Sequence, residues 1–197
     1  MIASLVLIAS LPTKKLPYHY IAEFVESCSC KDICVTEITG KDAGCHGIGA
    51  IRFKSGSYGK ADLGGTSAAF VWDSGKWITL TVDATESKRA GVRDLMRTFL
   101  ADWGKLEPTR LGKVQISRSG KDFSLLVDGG KTAVMKMRPI FGGDQMSPVT
   151  HSNLSSPIHK VLMQGETISA SVGSDHPFNL TSTNGFYNMS VRMSGRI

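Results

Sequence analysis

Past Cys45 the chain runs for another 152 residues without a cysteine. It also lacks the short signatures of the commoner enzyme classes. There is no Gly-x-Ser-x-Gly elbow, no His-Glu-x-x-His helix, no P-loop and no dinucleotide-binding glycine pattern. Acyl hydrolysis, zinc proteolysis, phosphoryl transfer and hydride transfer therefore have no motif to rest on. No Cys-x-x-Cys pair occurs and no thioredoxin-like strand-helix-strand unit surrounds the thiols, so the usual frame for dithiol exchange is missing. Aromatic residues make up only 8% of the chain, and none is arranged as an RNA-stacking box. The formal charge is +6, but in the densest basic stretch, "ESKRAGVRDLMR", Glu86 and Asp94 break the run. A solvated helix face is the simpler reading, and no nucleic-acid partner is expected.

Long apolar runs are scarce as well. The one at the N-terminus, "MIASLVLIASLP", has the small apolar character of a secretion signal, but Lys14 and Lys15 follow it and no basic residue precedes it. About eleven apolar residues span about 16 Å as a helix, well short of a bilayer core of about 30 Å. Residues 1–17 are read as a truncated signal or an N-terminal extension. Residues 18–197 are read as a single domain, periplasmic or secreted, with no transmembrane span.

What is present is mostly strand pattern. In "YHYIAEFVES" Tyr18, Tyr20, Ala22 and Phe24 alternate with other residues at period two. "HGIGAIRFKSG" follows as a second strand, and "TSAAFVWDSGKWITLTVDA" as a hairpin turning at Asp73-Ser74-Gly75-Lys76. One helix is predicted, over about 84–103, capped by Asp83 or Thr85, with Val92, Leu95, Met96, Phe99 and Leu100 on one apolar stripe. After Pro108, "GKVQISRSGKDFSLLVDGGKTAVMKMRPI" reads as a three-strand meander, residues 141–160 as a long polar loop, and two more strands close the chain. The expectation is an α+β, β-rich fold: eight or nine strands in an antiparallel sandwich or barrel-like arrangement, with one main helix.

The chemistry concentrates in "ESCSCKDIC", residues 26–34, followed by Cys45 and His46. In extended backbone Cys28 and Cys30 point to one face, about 7 Å apart at their alpha carbons. That suits two ligands of one ion better than a disulfide between them. Cys34 folds back if the intervening residues turn, and Cys45 approaches from the next strand. Thiolates are soft donors for Cu(I) and Zn(II), and His46 or His19 adds an imidazole. Glu26 reads as a strand residue or as an outer partner to a ligand. Three readings stay open on spacing alone. They are a metal site of Cys28, Cys30, Cys34 and Cys45 with His46, a pair of disulfides stapling a binding module, and a thiol-dependent enzyme.

"YIAEFVESCSCKDIC", "GCHGIGAIRFKSGSYGKADLGG" and "VDATESKRAGVRDLM" together resemble an uncharacterised bacterial family, domain of unknown function 1326, over about residues 18–100. The resemblance implies a cysteine-clustered, exported domain that keeps company with metal-handling membrane proteins, copper first. This chain departs from that pattern at Val35 and Thr36, where the resemblance calls for Pro and a further Cys. It departs again at Gly44, where a His is expected before the later Cys.

Elsewhere the same residue types call for plainer roles. His151 and His159 fall in the polar loop and are expected to be exposed. Met135 and Met137, and likewise Met189, Val191 and Met193, are expected to share strand faces and to fill core.

Overall fold

The period-two stretch at the start of the domain forms β1 (Pro17–Cys28). In the computed structural model the described residues are 15–31, 34–40, 44–173 and 175–197, so the apolar run read as a signal lies outside them. After β1 come a short helix α1 (Val35–Thr39), β2 (His46–Tyr58), the two-residue β3 (Ala61–Asp62), β4 (Thr66–Asp73) and β5 (Trp77–Asp83). The main helix α2 (Glu86–Leu100) is followed by β6 (Lys105–Leu106) and β7 (Arg110–Leu111). Then comes the expected meander, β8 (Val114–Ser119), β9 (Asp122–Val127) and β10 (Ala133–Pro139). The chain finishes with β11 (Thr150–Ser152), β12 (Val161–Val172), β13 (Phe178–Leu180) and β14 (Thr183–Arg196).

These strands form one sheet in the order β6-β5-β4-β2-β1-β14-β12-β10-β9-β8, with β3, β7, β11 and β13 at its margins. Pairing is antiparallel except where the short β6 and β7 run parallel to β5. The sheet curls until β8 lies against β2, β4 and β5, so the fold is α+β, β-rich and barrel-like with one main helix.

Each face of the curled sheet carries a core. Inside the curl, Val25, Ile48, Val71, Phe123, Met135 and Met137 pack together. On the outer face, Phe24, Phe53 and Phe70 pack against Leu95, Met96 and Phe99 of α2. The predicted stripe of α2 is the buried one, residue for residue. Its cap differs from expectation. Thr85 is the N-cap without a side-chain bond, and the Asp83 carboxylate instead accepts from the Val114 amide and Lys113. The helix also ends sooner than predicted, with Trp103 held in a final turn by its N–H to Leu100 O at 3.0 Å. The β4–β5 hairpin turns where expected, Lys76 N–H bonding Asp73 O at 2.9 Å and Gly75 taking φ of 74°.

Three local features depart from the sequence pattern. Helix α1 has five residues, too few for apolar periodicity to show. Segment 141–160 contains β11 and then turns inward, burying Leu154, Ser156, Ile158 and His159. Tyr20 pins this segment to the outer core by donating its hydroxyl to Ile158 O at 2.6 Å. Finally, β14 carries an extra residue opposite β1 where the register shifts between Ala22 and Phe24. That bulge reverses the alternation, sending Val191 and Met193 to the outer core and Met189 to the inner one.

Met137 is fully buried and lies flat over β12 and β14 because both strands present glycine beneath it. A Cβ on Gly165 would stand 2.7 Å from its sulfur, and one on Gly185 would be closer still. Met137→Ala is therefore expected to lower stability by about 2–5 kcal/mol in urea unfolding. A loss under about 1 kcal/mol would show that the strands close over the gap.

Candidate metal centre

Strand β1 is central in the sheet and bonded along both edges, with Cys28 opposite Gly47 of β2 and Ser27 opposite Gly185 of β14. The ladder continues past the end of the strand. Ser29 N–H donates to His46 O at 2.8 Å, His46 N–H to Ser29 Oγ at 3.1 Å, and Asn184 N–H to Cys30 O at 2.8 Å. Phe24, Glu26 and Cys28 thus share the outer face of a backbone that cannot shift register.

On that face three sulfurs meet. Cys34 Sγ lies 3.7 Å from Cys28 Sγ and 3.5 Å from Cys30 Sγ, and all three fall within 4.8 Å of one another. Cys28 and Cys34 are buried and Cys30 is half-buried. Cys45 is buried beside them, its thiol donating to Thr36 Oγ1 at 3.6 Å. None of the four cysteines is bridged. The spacings are far beyond a disulfide bond of about 2.05 Å. They are close to the edge of about 3.8 Å that a tetrahedral ion with Zn–S bonds of about 2.3 Å requires.

The sulfurs hold their protons unequally. Cys34 is pulled down to about 3, first by the Cys28 thiol donating to it and then by Cys45. The Glu37 amide faces the same sulfur without closing a side-chain cap. Cys30 is also lowered, chiefly by a bond from Cys28. Cys28 and Cys45 are pushed up, because their protons are held toward neighbouring sulfurs and because they are buried. The cluster as a whole gives up its first protons early and keeps the last ones.

A wall of buried ionisable groups stands next to the sulfurs. Glu26 and Glu37 are both raised, Glu37 to about 8, first by burial; the neighbouring Cys34 sulfur adds to both. His159 is fully buried against Phe24, ring centroids 4.5 Å apart, and burial lowers it to about 3. Its Nε2 lies 3.2 Å from Glu37 Oε1, but the two are not aligned for a hydrogen bond. At neutral pH both are uncharged, so this contact is not an ion pair. A pocket of about 250 Å³ opens beside α1, between Thr36, Glu37, Trp103, Ser155, Ser156 and Pro157. Gly40 ends α1 at φ of 72° and lets Ser155 approach, since a Cβ there would stand 2.5 Å from Ser155 Oγ.

The structure brings together Cys28, Cys30 and Cys34, sets Cys45 at their side, and places Glu26 on the same face. It does not bring His46. That ring packs edge-on against Phe178, 4.8 Å away, on the face of β2 that Ile48 gives to the inner core. Neighbours in a strand alternate, so the imidazole next to Cys45 in sequence points away from it. His19 is also elsewhere, its Nδ1 3.3 Å from Ser57 Oγ. The imidazole that does arrive is His159, expected to be exposed, and with it Glu37. Glu37 lies on α1, which is too short for its periodicity to show in the sequence. No signal existed for His159.

No protein-family model matches the chain, and no curated protein does. Among solved structures, an acetoacetate decarboxylase aligns at 11% identity and TM-score 0.42, covering 92% of this chain and 89% of its own. The acetoacetate decarboxylase of Legionella pneumophila aligns at 10% identity and TM-score 0.41, covering 98% and 92%. An acetoacetate decarboxylase-like enzyme from Sphingomonas wittichii aligns at 12% identity and TM-score 0.37, covering 99% and 97%.

In metal-free protein, thiolate absorbance near 240 nm should persist as pH is lowered from 9 to 5, because a depressed Cys34 holds its negative charge down to about 3. An ordinary thiol of about 8.5 is protonated by then. Cys34→Ser should remove the acid-resistant signal, and a wild-type spectrum free of thiolate at pH 5 would contradict the assignment.

Proposed function

We propose that this protein binds one soft transition-metal ion, Cu(I) or Zn(II), through Cys28, Cys30 and Cys34, with Cys45 closing the remaining side. The observation that carries the reading is the convergence of three sulfurs within 4.8 Å on one face of a rigid strand end. Two of these sulfurs are lowered toward thiolate, the form in which cysteine ligates. The raised Glu26 and Glu37 stand protonated beside the thiolates and so add no charge to a shell that is already negative.

The role that fits is delivery, buffering or sensing rather than turnover. Cys30 is the half-buried member of the group, so an incoming ligand reaches the ion on that side and binds it as the Cys30–metal bond breaks, passing the ion to a partner by ligand exchange. A metal-handling membrane protein, on the exported side of a membrane, is the partner implied by the resemblance to domain of unknown function 1326. Among the described residues no helix is long and apolar enough to cross a membrane.

Elemental analysis combined with thiol counting, on protein purified without chelator, tests the proposal. At least one Cu or Zn per chain is expected, with four thiols titrating once the metal is stripped under denaturant. Cys30→Ser and Cys34→Ser should each weaken binding by at least about tenfold, since even outer-shell changes cost about 10–100-fold. Metal-free protein with all four sulfurs blocked would replace this reading with a disulfide-stapled module. A single cysteine alkylated far faster than the rest, with no metal bound, would replace it with a thiol enzyme.

A further inference from the structure

The soft ion does not need the acids and the imidazole beside it, and these make a group of their own. One carboxylate oxygen each from Glu26 and Glu37 and one ring nitrogen of His159 lie within 4.8 Å of one another. The residues are 1%, 5% and 0% exposed. Glu26 Oε2, Glu37 Oε1 and His159 Nδ1 have no hydrogen-bond partner. Folded proteins leave few buried polar atoms in that condition, and each calls for an explanation. Among the described residues no lysine or arginine forms an ion pair with either carboxylate.

We propose that Glu26, Glu37 and His159 form a second metal site, separate from the thiol shell, for a divalent first-row transition-metal ion such as Zn(II) or Fe(II). Carboxylate oxygen with neutral imidazole nitrogen is a donor set that ions of this borderline hardness accept. A neutral imidazole keeps one N–H and offers the lone pair of its other ring nitrogen, so His159 can ligate without losing a proton. As the cation enters, the two carboxyls release their protons to solvent and the resulting carboxylates cancel its charge, so filling the site leaves no net charge buried, whereas ionising them alone would bury two. The three donors come from separate parts of the fold that packing holds in place. Glu26 is on β1 with both edges bonded, Glu37 is on α1, and His159 sits in the segment pinned by Tyr20. A route in exists, since Glu37 lines the pocket that opens past Ser156 and Pro157. The contrast in donors separates the sites, one of sulfur alone and one of oxygen and nitrogen alone.

Co(II) titration distinguishes them, because only a thiolate site gives an intense sulfur-to-metal charge-transfer band. In wild-type protein two Co(II) per chain are expected, one with that band and one with weak ligand-field bands alone. Glu37→Gln and His159→Gln should each reduce the stoichiometry to one and leave the charge-transfer band in place, which also shows that these variants fold. The Cys28→Ser/Cys30→Ser/Cys34→Ser variant should bind one Co(II) without charge transfer. Two Co(II) per chain retained in both Glu37→Gln and His159→Gln would overturn the proposal, as would wild-type protein that binds only the charge-transfer ion. Failure of the thiol reading looks different: no charge-transfer band in wild type, with the other ion still bound and still sensitive to His159→Gln.

Discussion

Hydrogen bonding along both edges of β1, continued past Cys28 by the Ser29 and Cys30 backbone, is the constraint from which the rest of the site follows. A central strand that cannot slip fixes the parity of every residue on it. Tyr20, Ala22 and Phe24 go to the outer core, and Glu26 and Cys28 follow on the same side. The sheet thus delivers a carboxylate and a thiol into a region closed by α1 and by segment 154–159. That region is buried because those two covers meet, Gly40 against Ser155, and because Tyr20 ties the second cover down.

Burial sets the chemistry. In water, four thiols, two carboxylates and an imidazole would titrate near their ordinary values. Here the carboxyls rise and the imidazole falls, each toward its neutral form. The sulfurs behave differently because they have one another. The Cys28 thiol stabilises a thiolate on Cys34 at the expense of its own ionisation. Such a group holds negative charge, and under the proposed reading a metal ion is the counter-charge its donor atoms are suited to. The two donor sets, sulfur on one side and oxygen with nitrogen on the other, differ in softness within a single buried region, and under the proposal they would sort ions accordingly.

Much of this was legible in the sequence, and the exceptions have particular causes. The α2 stripe, the β4–β5 turn, the meander and the shared face of Cys28 and Cys30 follow from local periodicity. Met189 and Met193 do not share the face that alternation predicts, because a bulge in β14 adds one residue to the count and bulges leave little trace in composition. His46 could have been set aside by strand alternation alone, since it shares parity with Ile48 rather than with the sulfurs. His159 could not have been found. Its segment is polar, rich in serine and proline, and reads as solvent-exposed loop. Its burial comes from packing on Phe24 and from the tether to Tyr20, both contacts remote in sequence.

The central claim is that sulfur from Cys28, Cys30 and Cys34 surrounds one ion. X-ray absorption at the metal edge, on protein loaded with a single equivalent of Zn(II) or Cu(I), reports that shell directly. The account predicts at least three sulfur scatterers, for Zn(II) at about 2.3 Å. A first shell made only of nitrogen and oxygen, at about 2.0–2.1 Å for Zn(II), would contradict it.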